Sequence, residues 1–247
     1  IPIFQMHFAD HLVALVICIV APALAYSSRK ASHEDIHFEP SEKIGLYHSN
    51  ALLLIILALV LVTIWRLPGR TLETLGFSWP EWNSALTFLL LAVCLVYALD
   101  IFFQFGRQQW RDKTRAQGGS AMAFIPSDKR EFRHFAFLAL AAGTSEEIIF
   151  RGFLLHYLIF WTGNSPEGIW GTSLFASGLF AFLHGYQGLK SVLKIFLVSL
   201  LLTAIFILSH SLLPVMIMHT LIDLLSGWIG YYFVQPIQQE NSSDQEQ

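Results

Sequence analysis

The chain has 247 residues, 54% of them hydrophobic and only 13% charged, with a formal net charge of -3. Its mean hydropathy is +0.53. This composition excludes a disordered chain and a nucleic-acid binder, since apolar residues dominate and no basic arm exists. The two cysteines, Cys18 and Cys94, both lie in apolar runs and read as packing thiols. Ile1 to Asp10 has no basic stretch of the kind that opens a signal peptide.

A membrane-spanning helix needs about 20 mostly apolar residues to cover about 30 Å of hydrocarbon. Leu12–Ser28 is the first such run, and Ile44–Trp65, closed by Arg66, is the second. Trp82–Leu99 is the third and can continue past Asp100 to Gly106. His134–Trp161 is the fourth, interrupted by three charges. Gly168–Leu189 is the fifth and Ile195–Ser209 the sixth. Leu212–Phe233, interrupted by Asp223, is the seventh, parted from the sixth near Pro214. The predicted fold is all-α: a polytopic integral membrane helical bundle of about seven transmembrane helices, within a range of six to eight. Residues 1–131 read as N-terminal transmembrane helices and polar loops, 132–233 as a C-terminal helical core, which the family resemblance given below implies is catalytic, and 234–247 as a polar, disordered tail.

Twelve Lys and Arg residues fall in the loops after the first, third and fifth spans, against Arg66 and Arg70 on the other side. The positive-inside bias therefore predicts the N-terminus outside and the C-terminus in the cytoplasm. Trp79, Trp82, Trp161 and Trp170 lie near predicted span ends, where an interfacial aromatic belt belongs.

The fourth span carries Glu146, Glu147 and Arg151. A charge near a helix centre costs roughly 2.5–3.5 kcal/mol on insertion scales, so such residues are paired, functional, or both. At about 100° per residue, Glu147 and Arg151 lie about 40° apart and can pair, whereas Glu146 lies about 140° from Arg151. Glu146 is thereby left for general-base work, unless all three form a buried ionic staple. The fifth span places Phe180 and His184 on one face, and the seventh does the same for His219 and Asp223. An aspartate beside a histidine can fix its tautomer or be held by it. A carboxylate and two histidines from separate apolar spans make a water-activating site for peptide hydrolysis. The same Glu146, His184 and His219 are also ordinary zinc ligands, and the residues alone leave metal and metal-free chemistry both open. His219 lies only about 8 Å beyond Pro214. Either the Ser209–Pro214 joint dips into the membrane or the span ends lie elsewhere.

Three motifs in order, Glu146-Glu147-x-x-x-Arg151, Phe180-x-x-x-His184 and His219-x-x-x-Asp223, resemble those of the CPBP family. That family includes type II CAAX prenyl endopeptidases and bacteriocin-processing or self-immunity membrane proteins. The resemblance covers roughly Phe132 to Gly230. It differs from PrsW-type proteases, which carry glutamate where His184 stands. The resemblance implies an intramembrane endopeptidase of a cell membrane, in a prokaryote the inner one, acting on a hydrophobic or lipidated peptide among membrane lipids. It implies that Glu146 and His184 activate water and that His219 and Asp223 form the oxyanion hole, with Glu147, Arg151 and Phe180 in support. Many relatives carry Asn where Asp223 stands. An ionised Asp cannot donate to an oxyanion, so Asp223 acts either protonated or by orienting His219. The cofactor stays open between zinc and none.

Three rival readings stand beside this one. His33-Glu34-Asp35-Ile36-His37 fits the H-E-x-x-H zinc-protease pattern, but in a polar loop bounded by Pro40, where a catalytic helix has little room. A non-catalytic scaffold or immunity factor would share the fold without the chemistry. A transporter would use the same intramembrane ionisable residues as a proton relay.

Overall fold

The computed structural model describes residues 5–31, 39–110 and 124–234, and every regular element among them is helical. The motif at 33–37 and the tail from 235 lie outside the described residues. Helices α1 (Phe8–Leu15) and α2 (Ala21–Ala31) are joined without a break by a π-helical turn, Val16–Val20. Then come α3 (Pro40–Arg66) and α4 (Ser84–Phe105). Helix α5 (Lys129–Glu147) runs through a second π segment, Ile148–Leu154, into α6 (Leu155–Thr162). The C-terminal part comprises α7 (Pro166–Leu183), α8 (Leu189–Ser209) and α9 (Leu212–Val234).

Helix starts follow local chemistry. Asn83 accepts from the Leu86 amide at 2.8 Å, Asp128 accepts from the Glu131 amide at 2.7 Å, and Ser165 accepts from the Gly168 amide just ahead of Pro166. Each side chain satisfies one of the orphan donors of a first helical turn.

Five helices are long and apolar enough to cross a membrane: Phe8–Ser27, Ser41–Arg66, Ser84–Phe105, Leu189–Ser209 and Leu212–Tyr232. They carry five of the seven spans read from the sequence. The fourth and fifth exist as helices but are less apolar. The fourth carries the charges of the first motif, and α7 ends at Leu183 rather than at Leu189. The sixth begins at Leu189, so Lys190 and Lys194 lie on α8 and not in a loop. The faces of α3 and α4 that carry Leu53, Ile56, Val60, Phe88, Leu91 and Leu95 are exposed, as lipid-facing surfaces are. Trp79, Trp82, Trp161 and Trp170 are likewise exposed.

Buried ion pairs fix the N-terminal helices. Asp10 takes a two-pronged bond from Arg70 at 2.7 and 2.9 Å. The Arg70 guanidinium also lies 4.1 Å over the Trp65 ring. Lys43, near the start of α3, reaches Glu131 in the first turn of α5 at 3.0 Å and the Ile125 carbonyl at 3.1 Å. Helix α3 lies along α5, and α5 lies along α9.

The α8–α9 joint corrects the sequence reading. The break falls at His210 and Ser211, with His210 left-handed at φ 50°. Pro214 sits inside the first turn of α9, where its missing N–H is no loss. Ser209, Ser211 and Leu212 are fully buried. Residues 76–83 cover the turn. Leu212 N–H donates to the Gly76 carbonyl at 2.8 Å and Glu81 N–H to the Ser209 carbonyl at 2.9 Å. Ser211 donates to the Ser78 carbonyl, and Ser78 to the His210 carbonyl. Irregular backbone is tolerated at depth when its polar groups are paired within protein. The backbone of the joint is therefore paired within the protein, while the His210 side chain stays about half exposed.

Candidate active site

The first motif lies where α5 ends and the π segment begins. Glu147 and Arg151 are both buried and pair at 2.9 Å, as their spacing predicts. Arg151 is then saturated by α8. It donates to the Ser199 hydroxyl at 2.7 Å and carbonyl at 2.9 Å, and to Thr203 at 3.4 Å. Its guanidinium also lies 5.2 Å from the Phe180 ring centre. A charge so deep is stable only when both partners and further hydrogen bonds satisfy it.

Glu147 has a second partner. The same oxygen that holds Arg151 accepts from His219 Nδ1 at 2.6 Å. Its other carboxylate oxygen is buried without a hydrogen-bond partner among the described residues. Glu147 thus sets the ring orientation of His219, the role that the i, i+4 spacing assigned to Asp223. Asp223 instead stands 3.7 Å from His219 Nε2, and Glu146 lies at the same 3.7 Å from that nitrogen. His219 is wedged between a structural carboxylate on Nδ1 and two further carboxylates facing Nε2.

His184 is the C-cap of α7 and not a mid-helix residue. Its Nδ1 meets the Phe180 carbonyl at 2.8 Å. A carbonyl only accepts, so Nδ1 carries the proton and a neutral ring keeps its lone pair on Nε2. Phe180 stacks obliquely on His184 at 4.6 Å and packs edge-on to His219 at 6.0 Å. One phenyl ring therefore spaces the two imidazoles.

Glu146, His184, His219 and Asp223 all line one cavity of about 660 Å³, and Phe180 forms part of its wall. Glu147 and Arg151 lie behind it. The close approach of α5 and α9 depends on Gly143. A Cβ there would fall 2.7 Å from the Thr220 backbone nitrogen and 2.2 Å from its hydroxyl. Among the described residues no group of three or more His, Cys, Asp and Glu side chains is arranged to hold a metal ion. On that arrangement the described residues do not form a preformed zinc site.

Sequence reasoning missed the α8 contribution. Ser199 and Thr203 are two hydroxyls four residues apart in the apolar stretch Ile195–Leu208 of α8, a signal that something polar faces them. It also missed Tyr97 of α4 and Leu54 of α3, which line the cavity and carry no distinguishing pattern.

Residues 129–225 match the family model for type II CAAX prenyl endopeptidases, Rce1-like. The segment is Rce1-like. This match bears out the resemblance carried by the three motifs, all of which fall inside it. The Rce1-like family is a protease family, and the five apolar helices among the described residues, two of them in or overlapping the matched segment, fit a multi-pass membrane protein. No curated protein and no solved structure matches the chain.

Proposed function

We propose that this chain is an intramembrane endopeptidase that hydrolyses a peptide bond in a membrane-associated, prenylated CAAX-type substrate. The observation that carries the proposal is the meeting of Glu146, His184, His219 and Asp223 on one cavity inside an Rce1-like segment. In this reading Glu146 takes a proton from water. His184, with its Nε2 lone pair facing the cavity, orients the same water by accepting its second hydrogen. The hydroxide adds to the scissile carbonyl. His219 then donates from Nε2 to the tetrahedral oxyanion, which requires the imidazolium. Its other N–H stays on Glu147, so the ring does not turn as charge develops. Asp223 holds the Nε2 proton in line before the oxyanion takes it. Glu146 returns its proton to the leaving amine. Glu147 and Arg151 position His219, and Phe180 keeps the imidazoles apart.

The distribution of Lys and Arg supports a C-terminus on the cytoplasmic face of a cell membrane. The test is cleavage of a farnesylated C-a-a-X peptide in liposomes, read by mass spectrometry. Wild type cuts, and Glu146→Ala loses cutting while keeping its detergent melting temperature. A chelator leaves wild type unchanged; loss of cleavage with chelator would recast Glu146, His184 and His219 as ligands. A wild type that binds the peptide and never cuts it would favour a scaffold.

A further inference from the structure

The cavity has a second polar end. Lys194, on α8, is the one Lys or Arg among the described residues that line it. Asp100 of α4 pairs with the Lys194 ammonium through one carboxylate oxygen, and Gln104 donates to the other at 2.7 Å. The ammonium also lies 5.8 Å from the centre of the Tyr97 ring. The Tyr97 hydroxyl meets the Ile222 carbonyl at 3.0 Å and the Ser226 hydroxyl at 2.7 Å, on the turn of α9 that carries Asp223. Lys194 is thus held by α4 at the rim of the cavity, still about half exposed, with donor capacity beyond its ion pair to Asp100.

Its place along α8 relative to the residue that holds Arg151 follows from helix rise. Five residues separate Lys194 from Ser199, about 7.5 Å of helix rise. Ser199 holds Arg151, which holds Glu147, the neighbour of Glu146. An extended tripeptide reaches about 10 Å. Lys194 and the carboxylate–histidine group thus line the same cavity, with the cation displaced along α8 by an amount of the same order as a peptide end of a few residues.

We infer that Lys194 binds the C-terminal carboxylate of the substrate and so sets how far from the chain end cleavage occurs. This rests on the endopeptidase reading above and deepens it. A C-a-a-X peptide ends three residues after its lipidated cysteine, so its terminal carboxylate is the one charge it must bring into the cavity. The two catalytic-side carboxylates, Glu146 and Asp223, repel that charge from one end, and Lys194 attracts it to the other. Substrate polarity in the cavity follows from this arrangement. Lys194 is a positioning residue and moves no proton.

The test is binding of a labelled farnesylated C-a-a-X peptide, as free acid and as C-terminal amide, to the full chain carrying Glu146→Gln, so that no turnover intervenes. The acid binds on the order of tenfold more tightly than the amide, the low end of a charge-assisted contact at a half-exposed lysine. Lys194→Gln removes that preference, Lys194→Arg keeps most of it, and Lys190→Gln on the same helix leaves it intact. Equal binding of acid and amide, or a preference that survives Lys194→Gln, overturns the inference. Wild-type cleavage of both forms at equal rates would retain the endopeptidase and remove the anchor. Failure of both forms to bind or be cut would remove the CAAX reading with it.

Discussion

Gly143→Ala is the smallest change that separates the two helices of the site. The added methyl would sit 2.7 Å from the Thr220 backbone nitrogen and 2.9 Å from its Cα. Backbone cannot rotate away as a side chain can, so α9 has to retreat by roughly 1 Å to restore ordinary carbon contact distances near 3.5–4.0 Å. His219 precedes Thr220 and moves with it. Its 2.6 Å bond to Glu147 then lengthens beyond the normal range, and its 3.7 Å separations from Glu146 and Asp223 widen as well. Overpacking of this kind costs about 1–3 kcal/mol of stability. A 1 Å misplacement of a reacting group costs roughly 10²-fold in rate. The assay is kcat/KM on the farnesylated peptide beside a detergent melt. Gly171→Ala is the control, because a Cβ at Gly171 meets nothing within 4 Å. Alanine should there strengthen α7 by about 1 kcal/mol through helix propensity alone. Wild-type rates in Gly143→Ala, or an equal loss in Gly171→Ala, would refute the argument.

Arg151→Ala and Glu147→Ala should each lower the melting temperature, by the equivalent of about 3–5 kcal/mol, since each strands a buried charge. Glu147→Ala should also abolish cleavage by releasing His219 Nδ1, whereas Glu146→Ala loses cleavage with its fold intact; identical melting curves for the three variants would contradict this division. Asp223→Asn should keep activity within about tenfold, because the amide still offers an acceptor to Nε2 and adds a donor for the oxyanion, while Asp223→Ala falls about 10²-fold. Equal loss in both would show that the negative charge, and not the hydrogen bonding, is what Asp223 supplies.

The site was legible to the extent that each motif works through spacing on a helix. Glu147 and Arg151 pair because four residues bring them together, and Glu146 faces elsewhere for the same reason. The apolar runs likewise show which segments are helices. Long-range contacts leave no such local trace. Nothing near His219 indicates that its Nδ1 belongs to Glu147, 72 residues away, and the adjacent Asp223 was the natural local candidate. His184 looked buried in a long span because Tyr186 and Leu189 extend the apolar pattern past it, yet Gly185 and Gly188 flank the tight turn that ends the helix. Pro214 looked like the break between the last two spans, although a first helical turn accepts proline. The true break, at His210, is marked by no glycine or proline and is held by contacts with residues 76–83.

Those contacts also impose an order of assembly. Alone, the α8–α9 hairpin would leave the carbonyls of Ser209 and His210 and the amide of Leu212 without these partners. A buried polar group left unpaired costs about 1–3 kcal/mol. Their partners, from Gly76 to Glu81, are synthesised more than a hundred residues earlier. The hairpin that carries His219 is therefore a late guest in a berth prepared by the N-terminal half. Severing the chain between α4 and α5 and supplying the halves separately should leave the C-terminal piece unable to seat its last helix until the N-terminal piece is present.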